Sequence, residues 1–305
     1  MVNRSEMNRC RKWDPIFDDL FSTAVFNHGK NVDVLKEILE RRHDELSRLE
    51  KFGIPIEDLK DQISDNEKNG LYYNFKEKIK NNINDNKFSI IAEMKRMSPS
   101  AGIIIHYDKY NPIEIAKIYE KNNATCLSVL TEPNFFGGEF NHMLDIKNAG
   151  VKLPILCKDF MVNKWQLYYA RSRGADAILL ILAAFDMFVD DKKKLLYELY
   201  NEALKLDMSV IVETHTVKEA KRSLEFKDAL IGVNNRNLKT LKTDINTTYE
   251  INNALRDFKG PLISESGIRT KEELLDINHK SKIQTFLIGE SILKNLDKNS
   301  IFSVL

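Results

Sequence analysis

Phe88-Ser-Ile-Ile-Ala-Glu-Met-Lys-Arg-Met-Ser-Pro-Ser100 is the stretch from which the architecture can be read. A short, mostly apolar run, Phe88–Met94, gives way to Lys95-Arg96 and then to a Ser-Pro turn. Runs this short and rich in Ile read as strands, and near-continuous apolarity marks a strand covered on both faces. The same texture returns at Cys126–Leu130, Pro154–Cys157, Ala177–Leu182, Ser209–Val212, Leu230–Val233, Leu262–Ser264 and Thr285–Ile288, making eight runs. Amphipathic helical patterns fill the intervals. The expected fold is α/β: a (β/α)8 TIM barrel with an N-terminal helical extension. An open doubly wound sheet is the competing architecture, but no GxGxxG follows an early strand.

Upstream of Phe88 the texture differs. Val32–Phe52 reads as an amphipathic helix with Leu35, Ile38, Leu39, Leu46 and Leu49 near one face, ended by Gly53 and Pro55. Ile56–Ile63 and Phe75–Ile83 read as shorter helices. The polar stretches Ser64–Gly70 and Asn81–Lys87 read as exposed loops. The expected division is residues 1–84 as an extension packing on the barrel and 85–305 as the catalytic barrel. The Val32–Phe52 helix is expected to cover the barrel or part of its mouth.

Composition narrows the function classes. In 305 residues, 43% hydrophobic and 30% charged, a sizeable core fits under a solvated surface. A net charge of +1 argues against bulk binding to nucleic acid or membrane. Cys10, Cys126 and Cys157 show no CxxC spacing, so neither a disulfide framework nor a zinc site is expected. The cytoplasm is the expected compartment. Arg4, Arg9, Arg11 and Lys12 leave a plastid presequence open, with Glu6, Asp14, Asp18 and Asp19 counting against it.

In a barrel of this kind the active site lies at the C-terminal strand ends. The runs end in Glu93 and Lys95, Thr131-Glu132, Lys158-Asp159-Phe160, Glu213, Asn234-Asn235-Arg236, Ser264-Glu-Ser-Gly267 and Gly289-Glu290-Ser291. Alternation sends Glu93 and Lys95 to the same side. With Lys158 and Glu213 they place two carboxylates and two ammoniums around one cavity. Any one of them could be a structural ion pair at the rim. Charged and amide residues at so many strand ends together favour a site. Gly267 and Gly289 suit a phosphate, because glycine lets backbone N–H groups approach an anion. The residues alone thus reach an acid–base site for a phosphorylated anion.

These passages also resemble a family. Ile91-Ala-Glu-Met-Lys-Arg-Met-Ser-Pro-Ser100 is similar to the Ala-Glu-x-Lys-x-x-Ser-Pro-Ser signature of the indole-3-glycerol-phosphate synthases. Ser128-Val-Leu-Thr-Glu132 with Phe136 and Gly138, Ile155-Leu-Cys-Lys-Asp-Phe160, Gly174-Ala-Asp-Ala-Ile-Leu-Leu180 and Val212-Glu-Thr-His215 follow in the family's order. Gly232-Val-Asn-Asn-Arg-Asn-Leu238, Ser264-Glu-Ser-Gly-Ile268 and Leu287-Ile-Gly-Glu-Ser291 complete it, and Trp165–Arg173 and Gly289–Leu305 look plant-type.

The resemblance implies ring closure of 1-(2-carboxyphenylamino)-1-deoxyribulose 5-phosphate with loss of CO₂ and water, in tryptophan biosynthesis. It implies no metal or organic cofactor, a small phosphorylated substrate as the partner, and a monomer. Residue by residue it implies Lys158 as general acid on the ribulose carbonyl and Glu213 as the carboxylate of the later dehydration. Lys95 matches the lysine that contacts the substrate carboxylate, with Glu93 as its pair. Asn234 orients substrate and Ser266 supports the site. Ser98, Phe136, Phe160, Arg236, Leu238 and Glu265 are the implied substrate contacts, and Gly267, Gly289 and Glu290 the phosphate grip. A lysine doing this acid work is expected to have a lowered pKa, from a neighbouring cation and apolar surroundings.

Ala101, Thr214, Lys282-Ile-Gln284 and Glu290 depart from the family's usual residues; of Glu290, only the N–H is expected to face the anion. None of His28, His43, His106, His142, His215 and His279 is at metal spacing. His215, at a strand end, is the one worth attention. Cys157 should point away from the cavity. Asp190-Asp-Lys-Lys-Lys194 reads as a solvated loop and helix start. Two other functions stay open on the residues: another phosphate-binding barrel enzyme, such as an aldolase using Lys158 as a Schiff base, or a non-catalytic relative.

Overall fold

Strands this short and this apolar need cover on both faces, and the chain supplies it by closing them into a barrel. The computed structural model describes residues 33–187, 192–238, 240–296 and 300–305. The N-terminal basic residues, Cys10, His28 and Asp190-Asp191 lie outside the described residues. Eight strands close in sequence order: β1 (Ser89–Met94), β2 (Cys126–Leu130), β3 (Ile155–Lys158), β4 (Ala177–Ile181), β5 (Ser209–Thr214), β6 (Leu230–Asn234), β7 (Leu262–Glu265) and β8 (Thr285–Ile288). All pairings are parallel, and β1 joins β8 through Ser89–Thr285 to Ala92–Ile288. Strands β3, β5, β6 and β7 run on into Lys158, Thr214, Asn234 and Glu265. The polar end residues therefore belong to the sheet itself, and their directions are set by its pleat.

That pleat separates two cores. Ile91, Leu156, Leu179, Ile211, Leu230, Ile263 and Leu287 pack inside the barrel. Ile90, Ala92, Met94, Leu127, Val129 and Val210 face outward under the helices. Four of the outer helices begin at side-chain caps. Asn111 opens α4 (Pro112–Lys121), Asn163 opens α6 (Lys164–Ser172), Thr216 opens α8 (Val217–Ser223) and Thr270 opens α10 (Lys271–Ser281). Each cap accepts a hydrogen bond from a first-turn N–H that would otherwise go unpaired. Between them lie α5 (Asn141–Asn148), α7 (Lys192–Lys205) and α9 (Asn246–Ala254). Lys192–Lys194 thus open a helix, as the charge pattern suggested.

Among the described residues, three helices precede the barrel. α1 (Val34–Phe52) is capped by Asp33, and buries Leu35, Ile38, Leu39 and Leu46. Leu49 was expected on that face but is 37% exposed. The stripe instead contains Arg42, a charged residue only 1% exposed. α2 (Ile56–Lys68) and α3 (Phe75–Asn84) are longer than the sequence pattern suggested. The polar residues read as loops, Ser64–Lys68 and Asn81–Asn84, are helical because tertiary partners hold them. Asn66 Nδ2 donates to Ser172 O at 2.9 Å, and Asn82 Nδ2 donates to Phe88 O at 3.1 Å and Ser89 Oγ at 3.0 Å. Phe75 and Ile79 of α3 enter the inner core, and Lys76 N donates to Ser209 Oγ at the start of β5. α3 therefore closes the N-terminal end of the barrel, opposite the polar strand ends.

Candidate active site

A cavity of about 480 Å³ opens at the C-terminal strand ends. It is lined by Glu93, Lys95, Lys158, Glu213, Asn234 and Ser266, by Ser98, Phe136, Phe160, Arg236, Leu238 and Glu265, and by Gly267, Gly289 and Glu290. Every residue to which the resemblance gave a site role thus reaches one space, whereas the strand-end residues Thr131, Glu132, Asn235 and His215 do not line it. Val34, Leu35 and Ile38 line it too, so α1 does form part of the mouth.

The floor is ionic. Lys158 Nζ donates to Glu265 Oε2 at 2.7 Å and to Glu213 Oε2 at 3.0 Å. Asn234 Nδ2 donates to the other Glu213 oxygen at 3.1 Å. Lys95 is hydrogen-bonded to Glu93. These side chains are nearly buried, so each charge depends on its partner. Burial opposes the ammonium of Lys158, but Glu213 and Glu265 outweigh it and hold its pKa above the ordinary lysine value. This corrects the expected lowering: the near neighbours are anions, not a cation. Burial also opposes ionisation of Glu213 and Glu93. Lys158, His215 and Asn234 together outweigh it for Glu213, and Lys95, Lys158 and Arg236 together for Glu93, so both carboxyls fall below their ordinary range. Glu265 goes the other way: burial dominates, and Glu213 beside the shared lysine adds to it. Its Oε1 is buried without a hydrogen-bond partner among the described residues.

Phe136 and Phe160 form an aromatic wall with ring centres 6.1 Å apart. Asp159, next to Lys158, also borders the cavity, and its carboxylate takes the guanidinium of Arg42, with Nε to Oδ1 at 2.9 Å. It also accepts from the Thr131 hydroxyl and from Phe160 N at 2.7 Å. Cys157 is buried on the outer side against Thr131, with its thiol pKa pushed up by burial.

Two glycines have a packing reason that the sequence did not reveal. A Cβ on Gly289 would lie 2.6 Å from Glu93 Oε1, and one on Gly232 would lie 2.3 Å from Glu265 Oε1. Gly232, a glycine inside strand β6, was quoted only as part of a motif; mid-strand glycine was the available signal of a close approach. Gly267 has φ +83°, in the left-handed region. At the same rim Glu290 pairs with Lys294 at 2.6 Å, so its side chain is occupied laterally, as expected if only its N–H serves an anion. Lys294 and Arg269 line this end of the cavity and were not anticipated.

A closed parallel barrel with paired lysines and glutamates at its strand ends has the architecture of a (β/α)8-barrel enzyme. The sequence model of the indole-3-glycerol phosphate synthases matches residues 35–304, and the chain belongs to that family of carboxy-lyases in tryptophan biosynthesis. Among similar proteins, an indole-3-glycerol phosphate synthase of Prochlorococcus marinus subsp. pastoris is 43% identical over 224 residues, covering 72% of each chain. One from Polynucleobacter asymbioticus is 34% identical over 275 residues, covering 90% of this chain and 98% of that one. A chloroplastic one from Arabidopsis thaliana is 39% identical over 215 residues, covering 68% of this chain and 51% of that one. A solved structure from Aquifex aeolicus superposes with a TM-score of 0.53 at 12% identity, covering 76% of this chain and 94% of that one, and speaks to fold alone. No helix among the described residues is long and apolar enough to cross a membrane.

Proposed function

We propose that this cavity carries out the family's indole-forming ring closure, with Lys158 as the proton donor to the ribulose carbonyl. The observation that carries the reading is Lys158 Nζ held between Glu213 and Glu265 at the cavity floor. A proton passes to the carbonyl oxygen as the carboxylate-bearing ring carbon bonds to the carbonyl carbon. The ring-to-carboxylate bond then breaks, its electron pair restores the aromatic ring, and CO₂ leaves. The new hydroxyl leaves as water after taking a second proton, and loss of a proton from the neighbouring carbon completes the double bond. Glu213, held ionised, is suited to that final proton. Glu265, with its raised pKa, is suited to gain and release a proton.

In this reading Lys95 and Arg236 would take the substrate carboxylate, Asn234 and Ser266 would orient the substrate, and Ser98, Phe136, Phe160 and Leu238 would meet its aromatic part. Gly267, Gly289 and Glu290 N–H groups would grip the phosphate. Residues 85–305 form the catalytic barrel in this reading, and the helices before it close its two ends. A Schiff-base role for Lys158 is disfavoured, because a nucleophilic amine must be neutral and both carboxylates hold this one charged.

Purified protein is expected to convert the carboxyphenylamino-deoxyribulose phosphate to a product with indole fluorescence, without added metal. No turnover at micromolar enzyme would remove the proposal. Gly267→Ala is expected to raise KM about tenfold with kcat little changed, since φ +83° disfavours a side chain and its Cβ would lie 2.5 Å from Thr243 Cγ2. An unaltered KM would take Gly267 out of the phosphate grip.

A further inference from the structure

His215 follows Glu213 by two residues, so the two side chains leave the end of β5 on the same side. The ring is 10% exposed. Its Nδ1 lies 3.3 Å from Glu219 Oε2, and its Nε2 lies 3.2 Å from Glu213 Oε1. The second contact lacks the geometry of a directed hydrogen bond and is an ion pair only when the ring is protonated. A neutral imidazole has one N–H and one lone pair, so it would turn the lone pair on one of these carboxylates. Only the imidazolium serves both.

Glu219 is fixed independently of the ring. It is the third residue of α8, and Thr216 Oγ1 accepts from its N–H at 3.2 Å. Its Oε2 accepts from His215 N at 2.8 Å and its Oε1 from the Thr216 hydroxyl at 3.2 Å. A capping box thus clamps the ring from behind. The remaining partners of Glu213 are Lys158 and Asn234, with Glu265 and Glu93 acting through Lys158. The short helix Leu182–Asp186, packed against β5 and α8, brings Asp186, which pairs with Arg222. The floor holds the carboxylates Glu93, Glu213 and Glu265 against the ammoniums Lys95 and Lys158 and the guanidinium of Arg236, and the imidazolium adds a positive charge beside Glu213.

We propose that His215, clamped as an imidazolium between Glu219 and Glu213, is a positioning residue that fixes the orientation and charge of the Glu213 carboxylate during ring closure. The proposal rests on the assignment of Glu213 to the acid–base set. Burial alone would strip the ring of its proton, but Glu213 and Glu219 outweigh it and push its pKa up to about 9.

The test compares full-length wild type, His215→Asn, Glu219→Gln and Glu213→Gln. In His215→Asn, kcat is expected to fall about tenfold or more with KM within about twofold. Losing the adjacent cation raises the Glu213 carboxyl pKa, so the acid limb of the kcat–pH profile moves to higher pH. Glu219→Gln, which keeps the shape of the cap, is expected to move the limb the same way by less. Nitrogen NMR of the wild-type ring is expected to show both nitrogens protonated near neutral pH. A neutral ring, or an unmoved acid limb with kcat lost only in step with thermal stability, overturns the proposal. Inactive Glu213→Gln beside a fully active His215→Asn overturns the inference and leaves the site reading standing. Fully active Glu213→Gln overturns the site reading and the inference with it.

Discussion

Lys158→Ala lowers kcat by about 10³-fold or more and leaves a folded barrel. The magnitude follows from removing a positioned general acid, a contribution typically of 10²–10⁴, together with a change in the groups left behind. Lys158 is the shared partner of Glu213 and Glu265 and acts on Glu93 as well. Without it, three buried carboxylates face each other with only Lys95, Arg236 and His215 near them. Glu265, already raised, takes up a proton, and the proton inventory of the site is altered as well as its acid. Lys158→Met, which keeps most of the stem without the charge, is expected to lose as much activity. Steady-state turnover followed by indole fluorescence measures the effect, with circular dichroism reporting the fold. Activity within about tenfold of wild type would remove Lys158 from the acid role.

Arg42→Met costs about 3–5 kcal/mol of stability, the usual range for removing one partner of a buried ion pair. Arg42 and Asp159 are almost wholly buried, and Arg42 also holds Glu45 at 2.6 Å. Its guanidinium lies 5.3 Å from the Phe140 ring centre. Asp159 left alone would keep the Phe160 N–H and the Thr131 hydroxyl but lose its countercharge. Because Asp159 adjoins Lys158 and α1 lends Val34, Leu35 and Ile38 to the cavity, turnover falls along with stability. Urea midpoints measure the loss. Arg42→Met/Asp159→Asn is expected to recover more than half of it, since the stranded charge goes with its partner. A loss below about 1 kcal/mol would mean that the pair is screened, as surface pairs are.

The barrel was legible because its strands carry their own environment in their composition. A run such as Ser209–Val212 is apolar on both faces only if both faces are covered, and eight such runs in series leave few topologies. The site residues were legible because the fold rule places strand ends at the mouth and alternation selects Glu93 and Lys95 over Met94. Their roles came from the resemblance to the synthase family. What escaped notice was charge in apolar settings. Arg42 falls three and four residues after Leu39 and Ile38 and four before Leu46, on the buried stripe of α1, but its partner Asp159 is 117 residues away. The extra turn of α2 and the last residue of α3 escaped for the same reason: polar residues read as loop are helical when Ser172 or Ser89 receives them.

The sequence by itself determined the class of fold, the end of the barrel that is chemical, and the residue types gathered there, because pleat and periodicity are local properties. Only the tertiary structure decided which ammonium meets which carboxylate. Lys158 was expected to titrate low, and the closure of β3, β5 and β7 around one axis instead placed it between Glu213 and Glu265, holding its pKa high. The same closure made Gly232 and Gly289 spaces for glutamate side chains and brought His215 between Glu213 and Glu219. Electrostatic balance in a buried cluster depends on distances of a few ångströms between residues far apart in the chain, and no local pattern encodes those distances.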